Sequence, residues 1–313
     1  MSLPYKKSLN AAWTRWQNWC IIASFSMPHV DMYRPSIELY CSFLDFYLSF
    51  YKHETVKSYL KRINTFAVQE TGQPIHSHLN KLWIRRTFVA AAKEAQMPAA
   101  CKRLPLTVEI LTKLRPFVNF SRNDGRALWA ILCVGVFSLA RIGELVPGHS
   151  SKLKVTLRAV DIKGNRGALN LIGTKTDHEQ KGSTILFFGN KSSCCPITAM
   201  QAYITGRPQT ASSAPLFINS RSERLTQYWV LNSMRSLLDK AGFDGKDFSG
   251  ISLRRGGAQT LLKLQANDTI IMGMGRWKSA CFNRYLHVSE PDRLQLAFLP
   301  SLDRRLKIAT SHK

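Results

Sequence analysis

Acidic residues are scarce in this chain. The 313 residues include 20 Asp and Glu side chains against 44 Lys and Arg, which gives a formal charge of +24 at pH 7. A positive charge this large is untypical of an ordinary cytosolic enzyme and predicts a polyanionic partner, with nucleic acid first and a membrane surface second. Residues 1–103 and residues 104–313 each contain more than twice as many basic as acidic side chains. This even distribution favours two DNA-facing domains over a single basic tail.

The chain also lacks long apolar runs and a regular cysteine pattern. Its longest apolar stretch, residues 127–140, is interrupted and too short to span a bilayer, and no signal peptide is recognised. The seven cysteines are odd in number, and their spacings fit no zinc site. We therefore expect an intracellular protein with free thiols, no metal and no membrane contact, located in the nucleus if the host is a eukaryote.

The pattern of apolar residues divides the chain into a helical part, a connection and a mixed part. Helical periodicity covers residues 1–96 and predicts an N-terminal helical domain. Residues 97–106 contain two prolines and two cations, so we expect a short, semi-extended linker. Residues 107–313 are predicted to form the second domain.

Apolar residues in the second domain follow a helical spacing in some segments and a β-strand spacing in others. Thr107 is predicted to cap a helix that ends at Leu114, and Asp124-Gly125 to form a turn before a long buried helix. Between residues 159 and 189 the period becomes that of β-strands around a polar connection, which predicts a small antiparallel hairpin or meander. The predicted fold class is therefore mainly α with a small antiparallel β-sheet, as a helical domain followed by an α+β domain.

Two predicted helices of the first domain carry cations opposite their apolar faces. Thr55 is a good N-cap for the earlier helix, and the later one covers residues 79–95. A solvated face would explain such cations equally well. The alternative is a basic ridge that contacts DNA phosphates through Lys57, Lys61, Arg62, Arg85 and Arg86.

Two cations of the second domain are candidates for a chemical role. Arg141 follows the long apolar helix, where a cation is costly unless an anion meets it. Glu144 is an internal candidate for that anion and would make Arg141 part of a structural ion pair. Lys175 lies between two threonines near the predicted hairpin tip, where a solvent-exposed lysine would be unremarkable.

The last third of the chain combines two arginines with small residues. Arg254 and Arg255 directly precede Gly256 and Gly257. The glycines predict a helix that packs closely against a neighbour, and we expect both arginines to point out of its first turns.

An aromatic pair follows in the same region. Trp277 and Tyr285 are eight residues apart, near enough for one short helix and turn to present both. A tyrosine is a poor nucleophile at its ordinary pKa of ~10. It becomes useful when cations clamp the group that it attacks, so the combination with Arg254 predicts a phosphodiester substrate.

Taken together, these residues resemble the tyrosine recombinases, the phage-integrase-like superfamily. Over residues 141–285 the matching motifs occur in a fixed order: Arg141-Ile-Gly-Glu144, Lys175, Ile251-Ser-Leu-Arg254, Gly275-Arg276-Trp277 and Tyr285. The sequences of the last motifs are most similar to those of the recombinases of eukaryotic mobile elements, the Crypton and DIRS-like groups. The resemblance covers residues 104–300 and extends more weakly to an N-terminal core-binding domain in residues 1–95.

The resemblance implies DNA strand exchange without metal, ATP or other cofactor. Arg141 and Arg254 would bind the non-bridging oxygens of the scissile phosphate, and Lys175 would protonate the 5′-oxygen leaving group. Trp277 would donate its indole N–H to the phosphate or line the pocket. Tyr285 would attack the phosphate and leave a 3′-phosphotyrosine. Further DNA contacts are expected from Arg255, Arg276 and Lys278.

Ile251 departs from the family pattern, in which histidine usually stands three residues before the arginine. Isoleucine cannot donate to a phosphate, and the loss of one such donor typically costs ~3 kcal/mol. We therefore keep three alternatives open: a slower recombinase, a domesticated DNA-binding protein with a packed apolar residue here, and a type IB topoisomerase. Adjacent Ser252 is expected to point elsewhere.

The partners implied are double-stranded DNA and further copies of the chain. The family often docks a C-terminal helix into a neighbouring subunit, and the apolar stripe of residues 294–299 would serve this purpose. A dimer on each site and a tetrameric synapse would follow. The alternative for this stripe is packing on its own domain.

Overall fold

The chain folds into helices and one small sheet, arranged in two compact units. The computed structural model describes residues 3–77, 79, 81–94, 103–148, 155–171 and 182–277. Over these ranges it contains eleven α-helices and one three-stranded antiparallel sheet, so the predicted fold class is confirmed. The units are Met1–Ala100 and Cys101–Lys313, and each has its own hydrophobic core.

The described residues of the first unit form a cluster of four helices around an aromatic core. They are α1 (Leu3–Ala23), α2 (Ile37–Phe50), α3 (His53–Thr71) and α4 (Lys81–Glu94). Trp16 is fully buried against Tyr40 and Phe43, and its indole Nε1–H donates to the carbonyl of Met32 at 2.8 Å. Because its only polar atom is satisfied, this large side chain stabilises the core without leaving an unpaired donor.

The start of α3 corrects one prediction. Lys52 is the N-cap residue, the helix begins at His53, and Thr55 lies inside its first turn rather than capping it. Glu54 also falls in that first turn, where its negative charge is favourable beside the positive end of the helix dipole. The helix ends at Gly72, whose φ of 75° is readily adopted only by a residue without a Cβ.

The second unit contains seven helices and the sheet among its described residues. In chain order these are α5 (Val108–Leu114), α6 (Asn123–Phe137), α7 (Ile142–Leu145), β1 (Val160–Lys163), β2 (Arg166–Leu171), β3 (Ser183–Phe188), α8 (Pro196–Thr205), α9 (Gln227–Lys240), α10 (Gly250–Lys263) and α11 (Asp268–Gly275). The strands pair antiparallel in the order β1-β2-β3, which confirms the predicted meander. Thr107 caps α5 as predicted, its hydroxyl accepting from the N–H of Ile110.

Helix α6 is the centre of this unit and begins earlier than predicted. Asp124 and Gly125 lie in its first turn instead of forming a turn before it. Asp124 accepts hydrogen bonds from the backbone and hydroxyl of Ser220, at 2.7 and 2.9 Å. A Cβ at position 125 would come within 2.0 Å of the Asn119 carbonyl oxygen, so glycine lets the helix start against this loop.

Gly256 and Gly257 bring α10 into contact with two backbone segments, as predicted. A Cβ on Gly256 would lie 1.7 Å from the Leu106 carbonyl oxygen, and one on Gly257 would lie 2.1 Å from that of Val136. The N–H of Leu106 donates to the Ser252 carbonyl at 2.9 Å, and its side chain is fully buried. Residues 103–106, the last part of the predicted linker, therefore lie along α10.

The Gly256 contact gives a stability prediction. We expect Gly256→Ala to lower the free energy of unfolding by at least about 2 kcal/mol, because backbone atoms must move to admit the methyl group. Gly273→Ala is a matched control: Gly273 is a helical glycine of the same unit, and a Cβ there would meet nothing within 4 Å. Alanine at 273 should be neutral or stabilise by up to ~1 kcal/mol. Urea unfolding of both variants checks the prediction, which is wrong if both shift alike.

Candidate active site

The start of α10 is fixed by a reciprocal serine arrangement and by contact with α7. The N–H of Ser249 donates to the hydroxyl of Ser252 at 2.9 Å, and Ser252 is fully buried, so it points away from any ligand as expected. A Cβ on Gly250 would lie 2.4 Å from Cγ2 of Ile142. Helix α7, which directly follows Arg141, therefore lies against the first turn of α10.

Arg254 is buried, which corrects the expectation that it points out of the helix. Only 1% of the residue is exposed. Its guanidinium carbon lies 4.3 Å from the centroid of the Trp277 ring, and Nη2 donates to the carbonyl oxygen of Gly275. A delocalised, weakly hydrated guanidinium can enter a dry site when an aromatic face and a carbonyl receive it. The sequence did not reveal these partners because they lie at least 21 residues further along the chain, at the end of α11 and just after it.

Trp277 covers the guanidinium of Arg254. It is buried beside Leu139, Ala258 and Ile271, and its backbone N–H donates to the Met272 carbonyl at 3.0 Å. A Cβ at Gly275 would come within 1.8 Å of the indole ring, so only glycine at that position lets the ring fold back over Arg254.

Glu144 is shared by two arginines. Its Oε1 accepts from Nη1 of Arg141 at 2.9 Å, and its Oε2 accepts from Nη2 of Arg276 at 2.7 Å. The backbone N–H of Arg141 donates to Oε2 at 2.8 Å. The internal ion pair between Arg141 and Glu144 therefore exists, but 41% of the Arg141 side chain remains exposed. Its other guanidinium donors make no hydrogen bond to a described residue and could bind an anion.

The electrostatics keep Glu144 ionised. Burial by itself would raise the pKa of Glu144, but the charges of Arg276 and Arg141 and the backbone bond from Arg141 outweigh it and lower the pKa. Burial lowers the pKa of Arg276 against the opposing effect of Glu144, and an arginine with this partner stays protonated. Because the folded pKa of Glu144 is depressed, its contribution to stability is complete above the ordinary carboxyl pKa. It is lost as the pH falls through the folded value.

Ile251 lies on the surface of the first turn of α10. It is 41% exposed, so the interpretation of a packed apolar residue is wrong. An exposed isoleucine contributes neither a donor nor core packing, and a polar side chain would fit at this position.

The remaining candidates of the second unit are placed as follows. Arg255 is half-buried and donates to the carbonyl of Arg103. Arg276 occupies the ion pair with Glu144, an internal role that sequence reasoning missed. Lys175, Lys278 and Tyr285 lie outside the described residues, although β2 and β3 flank Lys175 in the sequence as the predicted hairpin requires.

Two of the five candidate cations of the first unit, Lys57 and Arg85, line a groove between α3 and α4. Lys57, Lys61, Arg85 and Arg86 are exposed and Arg62 is half-buried. The groove has a volume of about 560 Å³, with Lys57, Lys81 and Arg85 among its lining residues and Tyr40 and Phe88 among the aromatic ones. Lys57 also contacts Glu54 at 3.4 Å and the Phe88 ring at 5.7 Å. Lys81 was missed because it stands at the helix start, outside the apolar repeat.

Two absences hold for the part of the chain that the structure describes. No group of three or more His, Cys, Asp and Glu side chains is arranged to hold a metal ion. Separately, none of the described helices is both long enough and apolar enough to cross a membrane.

Solved structures share this architecture. XerH site-specific recombinase bound to palindromic difH substrate, in a post-cleavage complex, matches 92% of this chain and 77% of its own with a TM-score of 0.65 and 14% identity. The chain has the tyrosine recombinase fold. The Tn1549 transposon integrase in complex with transposon right end DNA matches 93% of both chains with a TM-score of 0.58 and 12% identity. No protein-family model matches the sequence, and neither does any curated protein.

Proposed function

We propose that this protein is a site-specific DNA recombinase that cleaves and rejoins double-stranded DNA through a tyrosine nucleophile. The observation that carries the proposal is the convergence of three motifs that are distant in sequence. The Arg141–Glu144 turn lies against the start of α10, Arg254 lies in that helix, and Trp277 covers Arg254. The similarity to the folds of XerH and the Tn1549 integrase, both solved with DNA, supports it.

The proposed reaction is a transesterification at phosphorus. Tyr285 loses its phenolic proton to solvent as its oxygen attacks the scissile phosphate. The bond from phosphorus to the 5′-oxygen breaks, and the DNA remains attached through a 3′-phosphotyrosine. Arg141 and Arg254 stabilise the charge on the non-bridging oxygens, which for the buried Arg254 requires that Trp277 moves aside when DNA binds. Lys175 gives a proton to the departing 5′-oxygen. Attack by another strand's 5′-hydroxyl reverses the step and releases the tyrosine.

The biological setting is part of the same proposal. The charge of +24 and the cations of α3 and α4 support a duplex clamp. We assign the protein to mobile-element integration and excision, closest to the Crypton and DIRS-like recombinases. It would act inside the cell, and in the nucleus if the host is a eukaryote. Dimers on each site would assemble a tetrameric synapse through the C-terminal segment.

Capture of the covalent intermediate tests this function without knowledge of the target site. The protein is incubated with a random-sequence library of nicked duplexes in EDTA and without ATP, and denatured adducts are isolated. We expect DNA joined through a 3′-phosphate to the peptide that contains Tyr285, and sequencing of the attached strands should give a recurring site. Good DNA binding with no adduct at any site would contradict the proposal. Relaxation of supercoiled DNA without specific sites would indicate topoisomerase activity instead.

Ile251 in place of the usual histidine favours one second candidate, a DNA-binding protein derived from a recombinase, because isoleucine offers no donor to a phosphate. The substitution Ile251→His separates the two. If the site is an active but slowed enzyme, histidine should raise the rate of adduct formation about a hundredfold by restoring a donor to the phosphate. The dissociation constant for uncleaved DNA should stay within about twofold.

Ile251→Ala is the matched control for this gain. It shortens the same exposed side chain without adding a donor, so its rate should remain near that of the wild type. Equal acceleration by alanine and histidine would show that bulk rather than hydrogen bonding limits the step. Absence of adduct in all three proteins, with binding retained, would favour the binding-only protein.

A further inference from the structure

Arg276 joins the end of α11 to the Arg141 turn. It terminates α11 with φ 53° and ψ 43°, and its N–H donates to the Gly273 carbonyl at 3.1 Å. Its side chain reaches across to Glu144 at 2.7 Å and to the Ser138 carbonyl at 3.4 Å. One residue therefore closes a helix and ties it to a turn more than a hundred residues earlier.

The left-handed backbone at Arg276 requires a local reason. A residue with a Cβ adopts this conformation unfavourably, and helices usually end in it at glycine. The bonds to Glu144 and to the Ser138 carbonyl, which lies at the C-terminal end of α6, hold the side chain and so retain the conformation. Cations are favoured at such helix ends.

Arg276 affects two neighbours, one through its backbone and one through its side chain. The next residue, Trp277, is directed back over the guanidinium of Arg254. The carboxylate that Arg276 contacts also receives the side chain and backbone of Arg141. The positions of Arg141 and Arg254 are thus linked through Glu144 and Arg276.

We propose that Arg276 is a positioning residue for the transesterification: it sets Arg141 through Glu144 and sets Trp277 over Arg254 through its backbone. This rests on the proposed function. It replaces the expectation of a DNA contact, because only 20% of the Arg276 side chain is exposed and both terminal nitrogens are directed to protein acceptors.

The kinetic test compares Arg276→Gln and Arg276→Lys at saturating nicked DNA. Displacement of groups around a reacting phosphate by about 1 Å can cost about a hundredfold. We therefore expect Arg276→Gln to slow adduct formation about a hundredfold with a dissociation constant within about twofold of wild type. Arg276→Lys keeps the positive charge but not the planar, two-donor geometry of the guanidinium, so its rate should lie between those of Arg276→Gln and the wild type. A weakened affinity at unchanged rate would identify a DNA contact and overturn the proposal.

The loss of rate in Arg276→Gln should depend on the contact between Arg276 and Glu144. If it does, Glu144→Gln combined with Arg276→Gln should cost less than the product of the two single losses, because both interrupt one link. Arg235→Gln is the structural control, since this partly buried arginine binds the Phe248 carbonyl and not the site. Its rate per folded molecule should equal that of the wild type, and multiplicative losses in the double variant would contradict the link.

A readout without DNA separates this proposal from the proposed function. Phenylglyoxal modifies accessible arginines, and Arg254 should resist it in the wild type because it is buried under Trp277. In Arg276→Gln we expect Arg254 to be modified at least about tenfold faster by mass spectrometry, with no change in Arg235→Gln. An unchanged rate at Arg254 would exclude the positioning role even if the wild type forms adducts. A faster rate with no adduct would support the placement of Trp277 over Arg254 by Arg276 and would overturn the transesterification that the placement is proposed to serve.

Discussion

Replacement of Tyr285 by phenylalanine should abolish the covalent protein–DNA adduct and leave the dissociation constant for uncleaved DNA unchanged. Phenylalanine keeps the ring and removes only the oxygen that would form the bond to phosphorus. Deletion of the nucleophile in a comparable covalent mechanism lowers the rate on the order of 10⁶-fold. Denaturing gels of nicked substrates, with fluorescence anisotropy for binding, measure the two quantities separately.

Tyr228→Phe is the matched control for this variant. Tyr228 lies at the start of α9 and is the most exposed tyrosine among the described residues. Its loss should change neither adduct formation nor binding. Adduct formation by Tyr285→Phe at the wild-type rate would show that another residue is the nucleophile, and loss of the adduct in Tyr228→Phe alone would point to Tyr228.

Arg254→Ala is expected to lose both stability and chemistry. Truncation leaves a cavity under Trp277 and removes the donor to the Gly275 carbonyl, which together should cost ~3 kcal/mol of unfolding free energy. The loss of a preorganised cation should reduce the rate of adduct formation by about 10²–10³-fold. Urea unfolding gives the first quantity. Single-turnover cleavage, at a temperature where the variant is fully folded, gives the second.

Arg254→Lys separates charge from geometry at the same position. An ammonium keeps the charge but cannot make the planar, forked contact or stack on the indole as a guanidinium does. We expect partial recovery of stability and little recovery of rate. The control is Arg207→Lys, because Arg207 is a buried arginine that binds the Leu216 and Pro215 carbonyls and should affect stability alone. Wild-type rates in Arg254→Lys would contradict a bidentate role.

Sequence reasoning succeeded where the signal is local. The apolar period marked the helices, the change to period two marked the sheet, and Thr107 and the glycine pair at 256–257 had single physical meanings. The error at Thr55 is also local: several residues near a helix start can cap it, and Lys52 was not distinguished from them.

The site was only partly predictable because its partners are remote in sequence. The pairing of Arg276 with Glu144 spans 132 residues, and no periodicity or spacing encodes it. The burial of Arg254 depends on Trp277, whose position depends in turn on the backbone of Arg276. A sequence shows which residues are capable of binding a phosphate, whereas the fold decides which of them also bind each other.

The sharing of Glu144 has a consequence for charge balance during the reaction. Arg141, Arg254 and Arg276 bring three positive charges to the described part of the site, and Glu144 brings one negative charge, leaving a surplus of two. A phosphodiester carries one negative charge before attack and a second once a tyrosinate oxygen has added to phosphorus. In the proposed reaction, this described part of the site is therefore closer to neutrality with the five-coordinate species than with the intact diester. Such a difference in binding between the two states is what lowers a reaction barrier.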